Sequence, residues 1–415
     1  MLKHPLKVFN LSVFLQTQIF MLPVLLLFYQ QNGLTLGDYF LFQGIFSLTA
    51  LLFEIPAGYI GDIFPRKNIL ILSYTFFLMR LFLWLFFAHL GYWIILAGEI
   101  LYSASKAFYS GVADGYVYDY LKEKNATNQM LKKYGRLNFS MSIGTAISSL
   151  LGAYFYSSFS QWTEANWGRN YGFLILILIE IIFNTAAIAL LFALPKLPSA
   201  KKKVNGLWAK YKDLFRITKY AFLNKNIKYH MFYSGLLAGT TMVFVWSFQP
   251  LMKTALIPVF LFGVVYFANH FFRAMAGYLL HKTMRLFSLS TLGIITFVMF
   301  GLSFLIAIKM AYMAGPTLWI SFAMLFFICI TIGFQLTFTM ASTSRIHSLI
   351  SSDIRSTVLS VNNMIGRMTA GFFLILFKVL LDGVSMQTTF LVGMCIFTIG
   401  LYPLWRIVRL SKETN

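Results

Sequence analysis

Charge is what this sequence has least of. Only 11% of its 415 residues are Asp, Glu, Lys or Arg, where a soluble domain carries about 25%. Acid is scarcest: 13 Asp and Glu stand against 34 Lys and Arg, for a net charge of +21. Cysteine is almost missing. Cys329 and Cys395 are the only two, and each lies within an apolar run, which argues against a disulfide framework. The sequence also has no Walker loop, no dinucleotide fingerprint and no clustering of its six histidines. Those gaps argue against ATP as the energy source, against a nucleotide cofactor and against a metal centre. Neither a cofactor nor an enzymatic activity is expected.

What is there is apolar. Hydrophobic residues make up 59% of the chain, in recurring runs of about 20 residues, each long enough to span a bilayer as a helix. A β-barrel would instead show short segments of alternating polarity. The pattern therefore predicts an all-α membrane protein. Twelve spans are expected, near 8–29, 38–60, 68–88, 92–117, 137–157, 171–194, 230–249, 256–280, 287–308, 315–339, 358–381 and 385–405. The first run is too long for a signal peptide and is read as a retained helix.

The basic residues are unevenly placed. The odd-numbered connections carry Arg169, Lys253, Lys309 and Lys378, while most other Lys and Arg fall in the termini and even-numbered connections. By the positive-inside rule both termini are then cytoplasmic. The same asymmetry accounts for the net charge without a nucleic-acid partner.

The longest polar stretch, Lys196 to Lys228, divides the spans six and six. It contains Lys201, Lys202 and Lys203 and a helix-like run, Leu207 to Phe222. The expected domains are a six-helix bundle over 1–195, a cytoplasmic linker over 196–228 and a second bundle over 229–415. Basic residues of this kind gain about 1 kcal/mol each beside anionic lipid. The halves carry a weak internal repeat. Ala57-Gly58-Tyr59-Ile60 through Arg66 is mirrored by Ala276-Gly277-Tyr278-Leu279 through Arg285, and Gly135-Arg136 by Gly366-Arg367. Two parallel six-helix halves are a known transporter arrangement.

On these residues the chain resembles the major facilitator superfamily along its whole length. The family's loop motif after span two is matched by Gly58, Ile60, Gly61, Asp62, Arg66 and Lys67. Ile63 and Pro65 depart from it. Phe53-Glu54-Ile55-Pro56-Ala57-Gly58, with Ser110-Gly111 and Tyr118-Asp119, looks like one bacterial branch of the family. The Gly-Pro of the family's antiporter signature is absent from span five. The resemblance implies two pseudo-symmetric bundles working as a secondary transporter in the cytoplasmic membrane. It also implies that Asp62 latches the two halves. Gly58 and Gly61 would allow close helix approach and a sharp turn, with Arg66 and Lys67 at the lipid headgroups.

Ionisable residues inside a span are costly and so are the leading site candidates. Lys106 is the deepest in span four, which lines the cavity in the resembled family. Glu99 lies two turns earlier on the same face, about 10 Å along the axis, with Ser103 and Ser110 beside it. Further substrate or coupling candidates are Asp114, Arg367 (after Asn362 and Asn363), Gln16, Trp246, Gln335 and His270, which can titrate near neutral pH. Glu54 and Arg273 occupy equivalent places four residues before the hinge glycines and are read as gate residues. Arg80 and Glu180 are read as structural pairing.

The basic character of Arg80, Lys106 and Arg367 points to a small anionic organic solute, with protons as coupling ion and a monomer as the unit. The competing reading is a multidrug exporter binding cations through Glu99 or Asp114.

Overall fold

The structure, a computed structural model, describes residues 4–126, 129–195, 197, 207–312, 318–350 and 355–413. Every regular element among them is helical. That follows from composition, since in an apolar surround a helix satisfies its own backbone bonds. In chain order the helices are α1 (Pro5–Gln16), α2 (Leu25–Gln31), α3 (Leu36–Ile63), α4 (Arg66–Phe87), α5 (Tyr92–Tyr109), α6 (Val112–Glu123), α7 (Met130–Trp167) and α8 (Gly172–Ala193). They continue as α9 (Leu207–Leu223), α10 (Lys225–Thr254), α11 (Phe262–Leu286), α12 (Leu289–Tyr312), α13 (Leu318–Ser348), α14 (Arg355–Gly383), α15 (Met386–Phe397) and α16 (Leu401–Glu413).

Among the described residues, nine helices are long and apolar enough to cross a membrane. The other three expected crossings fall on less regular ground. The first is interrupted between Gln16 and Leu22. The fourth, expected as one span over 92–117, breaks at Ser110 and Gly111. Ser110 leaves helical geometry at φ −58° and ψ 130°, and Gly111 takes φ +72°, which glycine adopts without strain. Asp114 therefore lies on the short helix α6, beyond the break. The fifth, α7, is a single helix of 38 residues, but serine, threonine, glycine and asparagine run through it.

The chain divides into two compact units. Unit 1 is Met1–Thr35, Thr49–Leu207 and Pro258–Phe271, and unit 2 is Leu36–Leu48, Trp208–Ile257 and Phe272–Asn415. Each takes a short segment from a helix that otherwise belongs to the other: the first part of α3 joins unit 2, and the first part of α11 joins unit 1.

In unit 1, α1 packs on α7 and α8, and α4 packs along α5 and α8. Polar side chains tie these helices crosswise. The Ser12 hydroxyl donates to the Ala187 carbonyl at 2.8 Å, and Asn184 donates to the Tyr74 carbonyl at 3.0 Å. In unit 2, α10 lies along α14. Close approach there is possible because Gly235 and Gly239 face Ile365 and Thr369. Its interior is aromatic: Phe244 packs on Phe300, Phe304 and Phe390, and Phe397 on Phe297 and Phe300. Helix α9, predicted by the run Leu207 to Phe222, buries Ile217 and Ala221 against Ile227, Met231, Ile346 and Val358.

Much of the outer surface is apolar. Leu52, Phe86, Trp93, Ile182, Phe192, Trp319 and Phe372 are all exposed, which suits a protein whose solvent is lipid.

Candidate functional site

A cluster of buried charge lies inside unit 1, between α4 and α5. The two helices turn on a 3-10 segment, Ala88–Leu90, and on Gly91 at φ +80°. They then run close together because Gly98 has no side chain. A Cβ there would sit 2.0 Å from Trp84 Nε1, so the indole occupies that space. Arg80 is one turn from Trp84 on the same face.

Arg80 is almost wholly buried. Its Nη2 meets Glu99 Oε1 at 3.1 Å, with the two side chains 3% and 2% exposed. The Tyr29 hydroxyl donates to the same Glu99 oxygen at 2.8 Å. The guanidinium lies 3.9 Å from the ring centroid of Trp84 and 4.4 Å from that of Tyr102. Two aromatic faces thus supply cation–π attraction where water is excluded. Arg80 Nε and Nη1 have no hydrogen-bond partner, so compensation comes from the rings, from Glu99 and, at longer range, from Glu180.

Lys106 is one turn beyond Tyr102, and its Nζ is 5.1 Å from that ring's centroid. Lys106 is partly buried, and among the described residues no acid lies within ion-pair distance of it. The serine stripe is differently used from what the helix face suggests. Ser103 accepts from the Thr49 hydroxyl at 2.7 Å, tying α3 to α5. Ser110 has left the helix.

The loop-motif residues bond inward. Arg66 Nε meets Asp119 Oδ2 of α6 at 2.6 Å. The guanidinium rests over Gly115, where a Cβ would come within 1.6 Å of it. Lys67 is buried and its Nζ donates to the carbonyls of Phe192 and Leu194 at 2.7 and 2.5 Å. It caps the last turn of α8, where a cation suits the free carbonyls. Arg66 and Lys67, expected at the lipid headgroups, thus each bond within the protein. The sharp turn also lies elsewhere. Gly58 and Gly61 are both helical, and the turn falls at Phe64 and Pro65. Gly61 brings α3 close to α6, with a Cβ there 3.2 Å from Val112, while Gly58 has open space around it. The Asp62 side chain lies outside the described residues.

The remaining candidates are dispersed. Gln16 is buried at the end of α1, and His270, Glu54 and Asp114 are partly buried in unit 1. Unit 2 holds Arg367 and Arg273, both partly buried. It also holds Gln335, buried and donating to Thr339 at 2.9 Å, and Trp246, set edge-on to Tyr39 at 5.8 Å. Of the sequence candidates, the structure joins Glu99 and Lys106 through Tyr102 and Arg80. Tyr29, Trp84 and Tyr102 were missed. The spacing of Arg80 to Trp84 and of Glu99 to Tyr102 to Lys106 was the available signal, since both place cation and aromatic on one helix face.

The fold has many relatives among solved structures. The nucleoside transporter NupG superposes with a TM-score of 0.74 at 15% identity, covering 97% of this chain and 98% of that one. A D-xylose–proton symporter gives 0.70 at 14%, covering 97% of each chain. A bacterial homologue of the human lysosomal transporter Spinster, inward-facing and occupied, gives 0.69 at 14%, covering 99% and 98%. At such identities the likeness is one of fold. No curated protein matches by sequence. The Major Facilitator Superfamily model matches residues 8–374. The chain belongs to that superfamily, and is an integral membrane transporter of small molecules, not an enzyme.

Proposed function

We propose that this transporter moves a small organic anion by alternating access, with protons as the coupling ion. The observation that supports the anion is Lys106. A cation within a membrane-spanning segment is costly when uncompensated, and Lys106 has the Tyr102 ring beside it but no ion-pair partner among the described residues. An arriving anion would supply the missing charge. Glu99, by contrast, is already engaged by Arg80 and Tyr29. That makes it a poor free acid for a lipophilic cation and weighs against the multidrug reading. The same proposal puts both termini on the cytoplasmic side of a bacterial inner membrane. It takes 1–195 and 229–415 as two pseudo-symmetric six-helix halves joined by 196–228, acting as a monomer among lipids.

The test is thermal unfolding of the purified protein against organic anions and lipophilic cations, with Lys106→Ala in parallel. A ligand at about 100 times its Kd adds about 2.7 kcal/mol to the folded state. Stabilisation by an anion in the wild type, lost in Lys106→Ala, is the expected result. Stabilisation by cations that survives in Lys106→Ala would overturn the anion reading.

A further inference from the structure

The first helix of the chain is broken in the middle of unit 1, and a buried acid sits at the break. Helix α1 stops at Gln16, and regular structure resumes at Leu22. The carbonyls on the α1 side are satisfied locally. Val13 and Phe14 accept from the Thr17 hydroxyl, and Phe14 also accepts from the Gln18 amide at 2.8 Å. The freed N–H groups beyond the break need partners from elsewhere. Ile19 N–H donates to the Ser148 hydroxyl of α7 at 3.0 Å. Met21 N–H donates to Glu180 Oε1 of α8 at 2.8 Å.

Glu180 is 1% exposed. Oε1 accepts from Met21 with the Phe20 N–H also facing the carboxylate, while Oε2 is buried without a hydrogen-bond partner. Half a carboxylate left unsatisfied in an apolar interior is an expensive arrangement. A proton on Oε2 would remove the charge and leave the Met21 contact geometrically possible. The surroundings favour a single site. The α1–α2 segment brings Thr17, Gln18, Phe20 and Met21 to the break. Helix α7 brings Thr145, Ser148 and Gly152. None of these titrates. The charged or titratable groups within electrostatic reach are Arg80 of α4 and, through Tyr102, Glu99 of α5. Glu99 is already tied to Arg80 and Tyr29, so Glu180 is the acid left with a free oxygen.

We propose that Glu180 is a proton-binding site whose occupancy sets the geometry of the break in the first membrane-spanning helix. The proton comes from solvent and forms one O–H bond on Oε2; no other bond changes order. The Met21 N–H then faces a neutral carboxyl. Charge-assisted hydrogen bonds are roughly twice as strong as neutral ones, so protonation loosens the clamp on Met21. Because Gly152 packs directly on the Phe20 backbone, with a Cβ there only 2.1 Å from the Phe20 oxygen, movement of the break is felt by α7. The role in transport rests on the proton-coupled reading above; the protonation itself does not.

Infrared difference spectroscopy of the protein in vesicles, stepped from high to low pH, tests this directly. A protonated-carboxyl band should appear in the wild type, vanish in Glu180→Gln and shift in Glu180→Asp. Amide hydrogen exchange at Phe20 and Met21 should quicken at low pH in the wild type and become independent of pH in Glu180→Gln. Should Glu180→Gln fail to fold, the band shift in Glu180→Asp decides alone. A band that persists in Glu180→Gln, or is unshifted in Glu180→Asp, belongs to another acid and overturns the proposal. So does wild-type exchange at the break that ignores pH. Neither readout uses a transported solute, so loss of the anion reading would leave this result standing, and the reverse.

Discussion

Unit 1 buries Arg80, Glu99 and Glu180 almost completely, whereas among the described residues the buried polar side chains of unit 2 are hydroxyls, amides and one imidazole. The partners differ as well. In unit 2 the hydroxyls of Thr240, Ser247, Thr296 and Thr337 donate to the carbonyl one turn back in their own helix, which satisfies the group without involving a neighbour. Polar bonds that do cross between its helices, such as Ser303 to Thr331, His230 with Ser342 and Tyr233 to the Gly293 carbonyl, join hydroxyl, imidazole and carbonyl groups and hold no ion pair. In unit 1 the charged groups reach across helices: Arg80 of α4 to Glu99 of α5, and Glu180 of α8 to the break after α1. Helix placement in unit 2 is thus set by the fit of apolar surfaces, above all α10 against α14, together with a few cross-helix bonds that hold no ion pair. In unit 1 it is also set by charge, because a helix that slips leaves an ion stranded in an apolar interior. A unit built the second way responds to a proton or an anion through its ion pairs; in unit 2 that response falls to individual side chains, His230, Arg273 and Arg367.

The contrast breaks first at the Arg80–Glu99 pair. Removing one partner of a buried pair costs about 3–5 kcal/mol, because the survivor stays buried and unpaired. Glu99→Ala should lower unfolding stability in detergent by that order. Replacing Arg80 and Glu99 together with leucine should cost less than either single change, since no charge is then stranded. In unit 2, Thr296→Val removes an intrahelical bond to the Leu292 carbonyl and should cost about 1 kcal/mol or less. Equal losses for Glu99→Ala and Thr296→Val would mean that the two units are not held together differently.

Glycine packing gives a smaller effect. Gly152 faces the Phe20 backbone, whose oxygen, carbonyl carbon and Cα would lie 2.1, 2.8 and 3.0 Å from an added Cβ. Backbone cannot step aside as a side-chain tip can. Gly152→Ala should therefore cost about 1–3 kcal/mol, the usual penalty of overpacking. Gly301 of α12 has open space around it, and Gly301→Ala should be neutral or stabilising by up to about 1 kcal/mol through helix propensity. Thermal unfolding of the two variants decides the matter. A harmless Gly152→Ala would show that the break in the first helix is free to move away from α7.

Much of the fold was legible because long apolar runs allow one solution, the helix. The run Leu207 to Phe222 and the turn between α4 and α5 were likewise readable. The breaks were not. The segment from Thr17 to Met21 lies in a run read as one helix; Pro23 has no N–H for the Ile19 carbonyl and breaks the ladder there, and Glu180 and Ser148, far along the chain, supply partners for the freed N–H groups. The break at Gly111 has a local signal in Ser110-Gly111, since glycine takes φ +72° without strain. At the site, Lys106 and Glu99 stood out because charge is rare in an apolar span. Tyr29 and Trp84 did not, because 18% of the chain is aromatic, and only the fold says which rings meet a cation.

The faintest contrast is between two ion pairs nearer the surface. Arg66 and Asp119 of unit 1 are 30% and 16% exposed and join α4 to α6. Lys378 and Asp382 of unit 2 sit one turn apart on α14, with Asp382 exposed. A pair in reach of water is worth about 0.2–1 kcal/mol, and an i,i+4 pair on one helix about 0.3–0.5 kcal/mol. A double-mutant cycle on Arg66 and Asp119 should give a coupling near the upper limit, because the guanidinium is confined over Gly115 and loses little freedom in binding. The cycle on Lys378 and Asp382 should give less, and added salt should erase it, since exposed charges are screened. Gly115→Ala sharpens the comparison. The new methyl group would occupy the place of the Arg66 guanidinium and push it off Asp119. Coupling between Arg66 and Asp119 should then fall toward zero while that of Lys378 and Asp382 is unchanged. A coupling that survives Gly115→Ala would mean that charge alone, without the shape of the groove over Gly115, holds α4 to α6.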